Sequence, residues 1–327
     1  MATTILLGNM DLFLAQTNGS GFGDDAGQII LESVKLLLIL LAPFVVFALI
    51  IHWFERLSQR RLVERFGWRS VLWTGWLGTP IHELSHALMC RVFQHRVDEI
   101  ALFEPDEESG RLGYVRHSFK AGNWFQELGN FFIGIAPLLG GSLVLAILLW
   151  LFYPDAASAA MEAAQPGSVT VSTDDGLSDD FINDMNEIED SLGLGSSENL
   201  NVETETGSVQ QMFNVVSSMC GKILQVKNLA TPRFWVFIYL VLCVGSHMAP
   251  SPSDYHGASR GVFIFGGIIF AAVFLLALVG TDSKKMVDGM VMTMGPLFAV
   301  LGLAVFLVGI TTAIVYLITS FIPRSYR

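Results

Sequence analysis

From Leu128 to Tyr153 the chain carries no charged residue, and this run limits the fold more than any other feature. It exceeds the roughly 20 apolar residues that a helix needs to cross a bilayer. In hydrocarbon, every backbone N–H and C=O must be satisfied within the protein, which restricts spanning structures to helices and closed barrels. The run is dotted with small residues, Gly134, Gly140, Gly141, Ser142 and Ala146, which let helix backbones approach closely. Other apolar runs cover Ile29–Trp53, Phe234–Met248, Gly261–Leu278 and Met294–Ile322. Only 15% of the 327 residues are charged, against about 25% in soluble domains. The expected fold is an all-α polytopic membrane protein with about five to six membrane segments.

One stretch breaks the helical pattern. Val97, Ile100 and Leu102, then Leu112, Tyr114 and Val115, flank the polar sequence Glu104-Pro105-Asp106-Glu107-Glu108-Ser109-Gly110. Short apolar segments around such a turn predict a β-hairpin over 97–119, associated with the membrane.

The segments divide the chain as follows. Residues 1–28 form an N-terminal segment. They lack a basic start and carry Asp11, so they are not read as a cleaved signal. Residues 29–69 form the first transmembrane helix and an Arg-rich cytoplasmic stretch, and 70–153 form a core containing the hairpin. Residues 154–207 are an acidic insert with thirteen acidic residues and no Lys or Arg. This composition predicts mobility, with room for one short helix near Phe181–Leu192. Residues 208–327 begin with an amphipathic stripe (Val209, Met212, Phe213, Val216, Met219, Cys220, Ile223, Leu224) and continue into a C-terminal membrane core. The net charge of −11 belongs to the insert, and nothing points to nucleic acid.

Charge also argues topology. Arg56, Arg60, Arg61, Arg65 and Arg69 mark a cytoplasmic side, while the acidic insert is expected outside. The loop 94–124 then also falls inside. Ser70–Phe93 would therefore enter and return as a re-entrant hairpin, interrupted at Gly75, Gly78 and Pro80, with a helix starting near Pro80. The alternative is that this segment spans fully and the Arg-rich stretch breaks the positive-inside rule. The expected location is a bacterial inner (plasma) membrane.

Inside this segment lies His82-Glu83-Leu84-Ser85-His86. Residues four apart share a helix face, so His82 and His86 can grip one metal ion, with Glu83 beside it as a proton acceptor. Ionisable groups are costly in hydrocarbon and seldom kept there without a function. Zinc hydrolases use three protein ligands and one open position, so a third ligand is required. Asp254, beyond Pro250 and Pro252 in a non-helical segment at the membrane edge, is the first candidate, and His247 is its rival. His95, His117 and His256 read as loop residues and His52 as interfacial. Cys90, Cys220 and Cys243 form no paired pattern and read as small hydrophobes.

A His-Glu-x-x-His helix in the membrane, a following hairpin and a later aspartate resemble the site-2 protease family of intramembrane zinc proteases. His82-Glu83-Leu84-Ser85-His86-Ala87 is similar to that family's first motif. Ser253-Asp254-Tyr255-His256-Gly257 departs from its Leu-Asp-Gly. Gly129-Asn130 and Ala136-Pro137 resemble a Gly-Pro-Asn element in another order and receive no role. The resemblance implies Zn2+ held by His82, His86 and Asp254, with Glu83 catalytic, near the cytoplasmic face. It implies a transmembrane segment of another protein as substrate, and the 97–119 hairpin as its guide. Two rivals stay open: a non-proteolytic metal-binding scaffold or regulatory subunit, and an ion transporter. A purely structural metal site needs no general base. A transporter is disfavoured by the lack of internal repeats.

Overall fold

The computed structural model describes residues 22–163, 221–278 and 283–323. The expected helix near Phe181–Leu192 and nearly all of the amphipathic stripe lie outside the described residues. The chain divides into two units, one of residues 1–153 with 226–327, the other of residues 154–225. Of the second unit, the described part contains α4 (Pro154–Ala163), with Asp155 in its first turn. The first unit holds everything that follows.

The first unit is mostly helical. Its elements are α1 (Phe22–Phe66), α2 (Arg69–Val92), β1 (Arg96–Ala101), β2 (Tyr114–Ser118), α3 (Trp124–Phe152), α5 (Val226–Leu229), α6 (Pro232–Gly245), α7 (Pro252–Leu278) and α8 (Ser283–Ser320). Three helices among the described residues are long and apolar enough to cross a membrane, over Leu41–Phe66, Trp124–Phe152 and Leu297–Ser320. Pro232–Gly245 and Ala258–Ala272 are shorter apolar helices.

The Arg-rich stretch is helical, since α1 continues unbroken to Phe66. Arg61 stacks on the ring of Tyr316, 4.3 Å from its centroid, and Arg65 donates to the carbonyl of Ile322. These arginines tie the ends of α1 and α8 together. One expectation is corrected: Ser70–Phe93 does not turn back. α2 is one helix with Pro80 inside it, about 36 Å long at 1.5 Å per residue. Its glycines serve close approach, not reversal. A Cβ at Gly78 would collide with the carbonyl oxygen of Cys243 on α6. One at Gly75 would lie 3.0 Å from Leu112 and 3.2 Å from Phe103 of the hairpin.

The hairpin itself is as expected. β1 and β2 pair antiparallel, with Ile100 opposite Val115 and a bulge between Val97 and Glu99. Arg116 and the Tyr114 hydroxyl both donate to Glu99, at 2.9 and 2.6 Å. That bond holds the phenol proton and raises the Tyr114 pKa. The hairpin folds back along α2, from His95 at its root to Leu112 beside Gly75.

α3 runs antiparallel to α2. His95 pairs with Gln126, His86 with Ile133, and Ser85 sits where Gly140 leaves room. The small residues of α3 do admit neighbours. A Cβ at Gly134 would stand 2.7 Å from the Asp254 carbonyl oxygen, and one at Gly141 would meet Met248 at the same distance. The core between α2, α3 and α6 includes fully buried Leu138, Leu145, Phe234 and Phe237.

Candidate metal centre

α2 is apolar outside and polar inside. Trp73, Leu84 and Leu88, which share one face of the helix, are 52, 58 and 59% exposed. Thr79, Glu83, His86 and Cys90 are buried on the opposite face. A soluble helix shows the reverse order, so this pattern suits a lipid surround with polar groups turned to the protein interior.

On that inner face the two histidines converge. His82 Nε2 and His86 Nε2 are 3.1 Å apart. Each ring is held from behind by a backbone carbonyl. His82 Nδ1 lies 2.6 Å from the oxygen of His247, and His86 Nδ1 lies 2.8 Å from that of Ile133. A carbonyl can only accept, so both Nδ1 atoms carry the hydrogen and both Nε2 atoms present lone pairs.

Asp254 faces these lone pairs. Its Oδ1 is 3.3 Å from His86 Nε2 and its Oδ2 is 3.7 Å from His82 Nε2. Local sequence explains its position, and differs from expectation. Asp254 is not in a non-helical segment but in the first turn of α7. Pro252, whose fixed φ suits a first helical position, opens the helix. Ser251 precedes it, and its backbone N–H and hydroxyl donate to Asp254 Oδ2 at 2.6 and 2.8 Å. The bond from the carboxylate back to the Ser251 N–H is that of a capping box. The Ser-Pro-Ser-Asp sequence is thus a helix start that aims one carboxylate oxygen at the histidines.

The three donor atoms lie within 4.8 Å of one another. Two nitrogens bound to one zinc at 2.0–2.1 Å stand about 3.3 Å apart at tetrahedral angles. The observed spacings and the two-nitrogen, one-oxygen donor set fit such an ion.

The rival ligand, His247, does not join the cluster. Its ring nitrogens face Gln59 Nε2 at 3.4 Å and the Cys243 carbonyl at 3.3 Å. Its contribution is the backbone oxygen that orients His82. Glu83 is 7% exposed and sits where the hairpin meets α2. A Cβ at Gly113 would be 3.0 Å from its Cγ. The hydroxyl of Thr79, one turn earlier, has no hydrogen-bond partner among the described residues. Both line a cleft of about 1260 Å³ together with the three clustered residues, Gly113, Tyr114 and Asn130.

Sequence reasoning passed over Glu55 and Gln59, which also line the cleft. Glu55 accepts from the Ala249 backbone N–H at 3.3 Å, and Gln59 donates to the Ser246 carbonyl at 3.0 Å. They brace the turn between α6 and α7. Two polar residues four apart, just beyond the apolar part of the helix, were the available signal. Comparison with protein-family models, with curated proteins and with solved structures gives no match.

Proposed function

We propose that this chain is a zinc-dependent intramembrane endopeptidase of the site-2 protease type, cleaving transmembrane segments of other membrane proteins. The observation that carries the reading is the convergence of His82, His86 and Asp254 beside Glu83, on the buried face of a helix whose other face is apolar. Zinc, when bound there, supplies the Lewis acidity that polarises a scissile carbonyl and acidifies the attacking water.

The chain's own residues do the rest. His82 and His86 are locked in one tautomer by the carbonyls of His247 and Ile133. Glu83 takes the proton of the attacking water and passes it to the leaving amide nitrogen. The hairpin lines the cleft through Leu112, Gly113 and Tyr114. An unwound substrate segment adds to its free edge as an extended strand, placing its backbone at the donors.

We place α1, α2, α3 and α8 as membrane segments and α6 with α7 as one interrupted segment, since Cys243 at the end of α6 meets Gly78 and α7 continues past Gly134 toward Glu127. With α2 continuous, the hairpin side is cytoplasmic and the insert lies outside. The Arg-rich end of α1 is then an exception to the positive-inside rule, its arginines engaged by Tyr316 and Ile322. A bacterial inner membrane remains our assignment.

Glu83→Gln tests the enzyme against a metal-binding scaffold. Metal content should stay at the wild-type level, and cleavage should fall by at least ~10²-fold, the usual contribution of a positioned acid–base group. Membrane proteins that accumulate uncleaved in the variant strain identify the substrates. Undiminished processing removes the enzymatic reading.

A further inference from the structure

We propose that Cys90, His95 and His117 form a second metal site, sulfur-containing and distinct from the first, for zinc or a similarly thiophilic divalent cation. The three come from different places: the last turn of α2, the turn after it and β2. Their ligand atoms nevertheless lie within 4.8 Å of one another. Cys90 is fully buried and His95 is 5% exposed.

Hydrogen bonding fixes which atoms are free to bind. His95 Nε2 lies 2.7 Å from the carbonyl oxygen of Gln126, so it carries the ring hydrogen. Nδ1 of the neutral ring is then a bare lone pair. That lone pair lies 3.0 Å from Nδ1 of His117. Two such nitrogens at this distance share either a hydrogen or a cation. A hydrogen bond gives no reason for a buried thiol at the same point, whereas a thiophilic cation does.

The backbone is held for this arrangement. Gln94, between Cys90 and His95, has φ +60°, the only positive value at a non-glycine among the described residues. Such a conformation persists where surrounding structure over-determines it. Here the His95 amide donates to the Cys90 carbonyl at 2.8 Å, and the Gln126 side chain donates to the Gln94 carbonyl at the same distance. Three protein donors leave one position of a tetrahedral set open. His117 also lines the catalytic cleft, so an ion here would pin the hairpin that forms the cleft wall to α2.

The test uses the full chain in detergent, with Co2+ as probe. The first site offers no sulfur, so a thiolate-to-cobalt charge-transfer band reports the second site alone. Wild type should bind about two ions per chain and show the band, on the three-ligand reading of each site. Cys90→Ser should lose the band and half the metal, and the retained ion certifies its fold. His86→Ala should also lose half the metal but keep the band. A Cys220→Ala, Cys243→Ala double variant should keep it as well. No band in wild type overturns the proposal, as does a band that survives Cys90→Ser or vanishes with the double variant. The band does not depend on Glu83, so this outcome is separate from the fate of the proteolytic reading.

Discussion

His82 is oriented by His247 through the backbone: its Nδ1 lies 2.6 Å from the His247 carbonyl oxygen, while the His247 ring turns away to Gln59 and Cys243. Any residue at 247 supplies that carbonyl. His247→Ala should therefore cost less than ~10-fold in metal affinity, below the usual range for losing an outer partner of a ligand. Asp254→Ala removes a donor outright and should empty the site and abolish cleavage. Asp254→His should retain part of both. Elemental analysis of the purified variants decides the matter. Loss of metal in His247→Ala with full occupancy in Asp254→Ala would hand the ligand role to His247.

Gly78 controls the same relationship from the other side. A methyl group there would strike the Cys243 carbonyl and stand 2.9 Å from the His247 Cβ. Both belong to the end of α6 and the turn after it, so that backbone must shift. Gly78→Ala should destabilise the protein by about 1–3 kcal/mol, the usual cost of overpacking. It should also weaken metal binding, because the shifted carbonyl no longer meets His82. Gly27, where an added methyl group would find nothing within 4 Å, serves as the control site for the same substitution. Thermal unfolding in detergent, with metal titration, measures both effects. Equal stability of Gly78→Ala and wild type would show that the helices separate freely here.

What could be read in advance follows from how local each signal is. The His82/His86 pair was legible because four-residue spacing on a helix is itself the geometry. The hairpin was legible because its polar turn interrupts two apolar segments. Pro80 misled, since a proline near glycines looks like a break. Pro80 leaves one helical bond unmade, and the glycines admit Cys243 and the hairpin instead. Asp254 does lie beside the histidines, but in a setting the sequence did not suggest: Ser251 and Pro252 start a helix, and the carboxylate belongs to that start. The association of Cys90 and His95 with His117 escaped notice because β1 and the polar turn lie between His95 and His117 in sequence, and Cys90 on an apolar helix resembles any small hydrophobe. Their association exists only after the hairpin closes onto α2.

Topology is the place where two sequence signals conflict. α2 is continuous and antiparallel to α3, so the Arg-rich end of α1 and the α3 end that leads to the insert fall on one side. Acidic residues weigh little in orientation rules, but the hairpin side carries its own Arg91, Arg96, Arg111, Arg116 and Lys120. We expect the insert outside. A single cysteine at Asp175, in a background with Cys220→Ala, should react with an impermeant thiol reagent in intact cells. Reaction only after lysis would place the insert and the Arg-rich end in the cytoplasm.

The Ser251 cap offers the finest test of how Asp254 is aimed. The Ser251 backbone N–H and hydroxyl both hold Oδ2, leaving Oδ1 toward His86. Ser251→Ala removes the hydroxyl and keeps the backbone N–H. The carboxylate then gains freedom without losing charge, so metal affinity should fall by about 10-fold or more while the ligand set stays complete. A hydrogen bond to a charged acceptor of this kind contributes about 1.5–3 kcal/mol. Ser251→Thr keeps a hydroxyl donor at the same position and should recover the affinity lost in Ser251→Ala. Loss of affinity in Ser251→Thr as well would mean that the hydroxyl bond does not aim the carboxylate. Unchanged affinity in Ser251→Ala would mean that the backbone N–H alone aims the carboxylate.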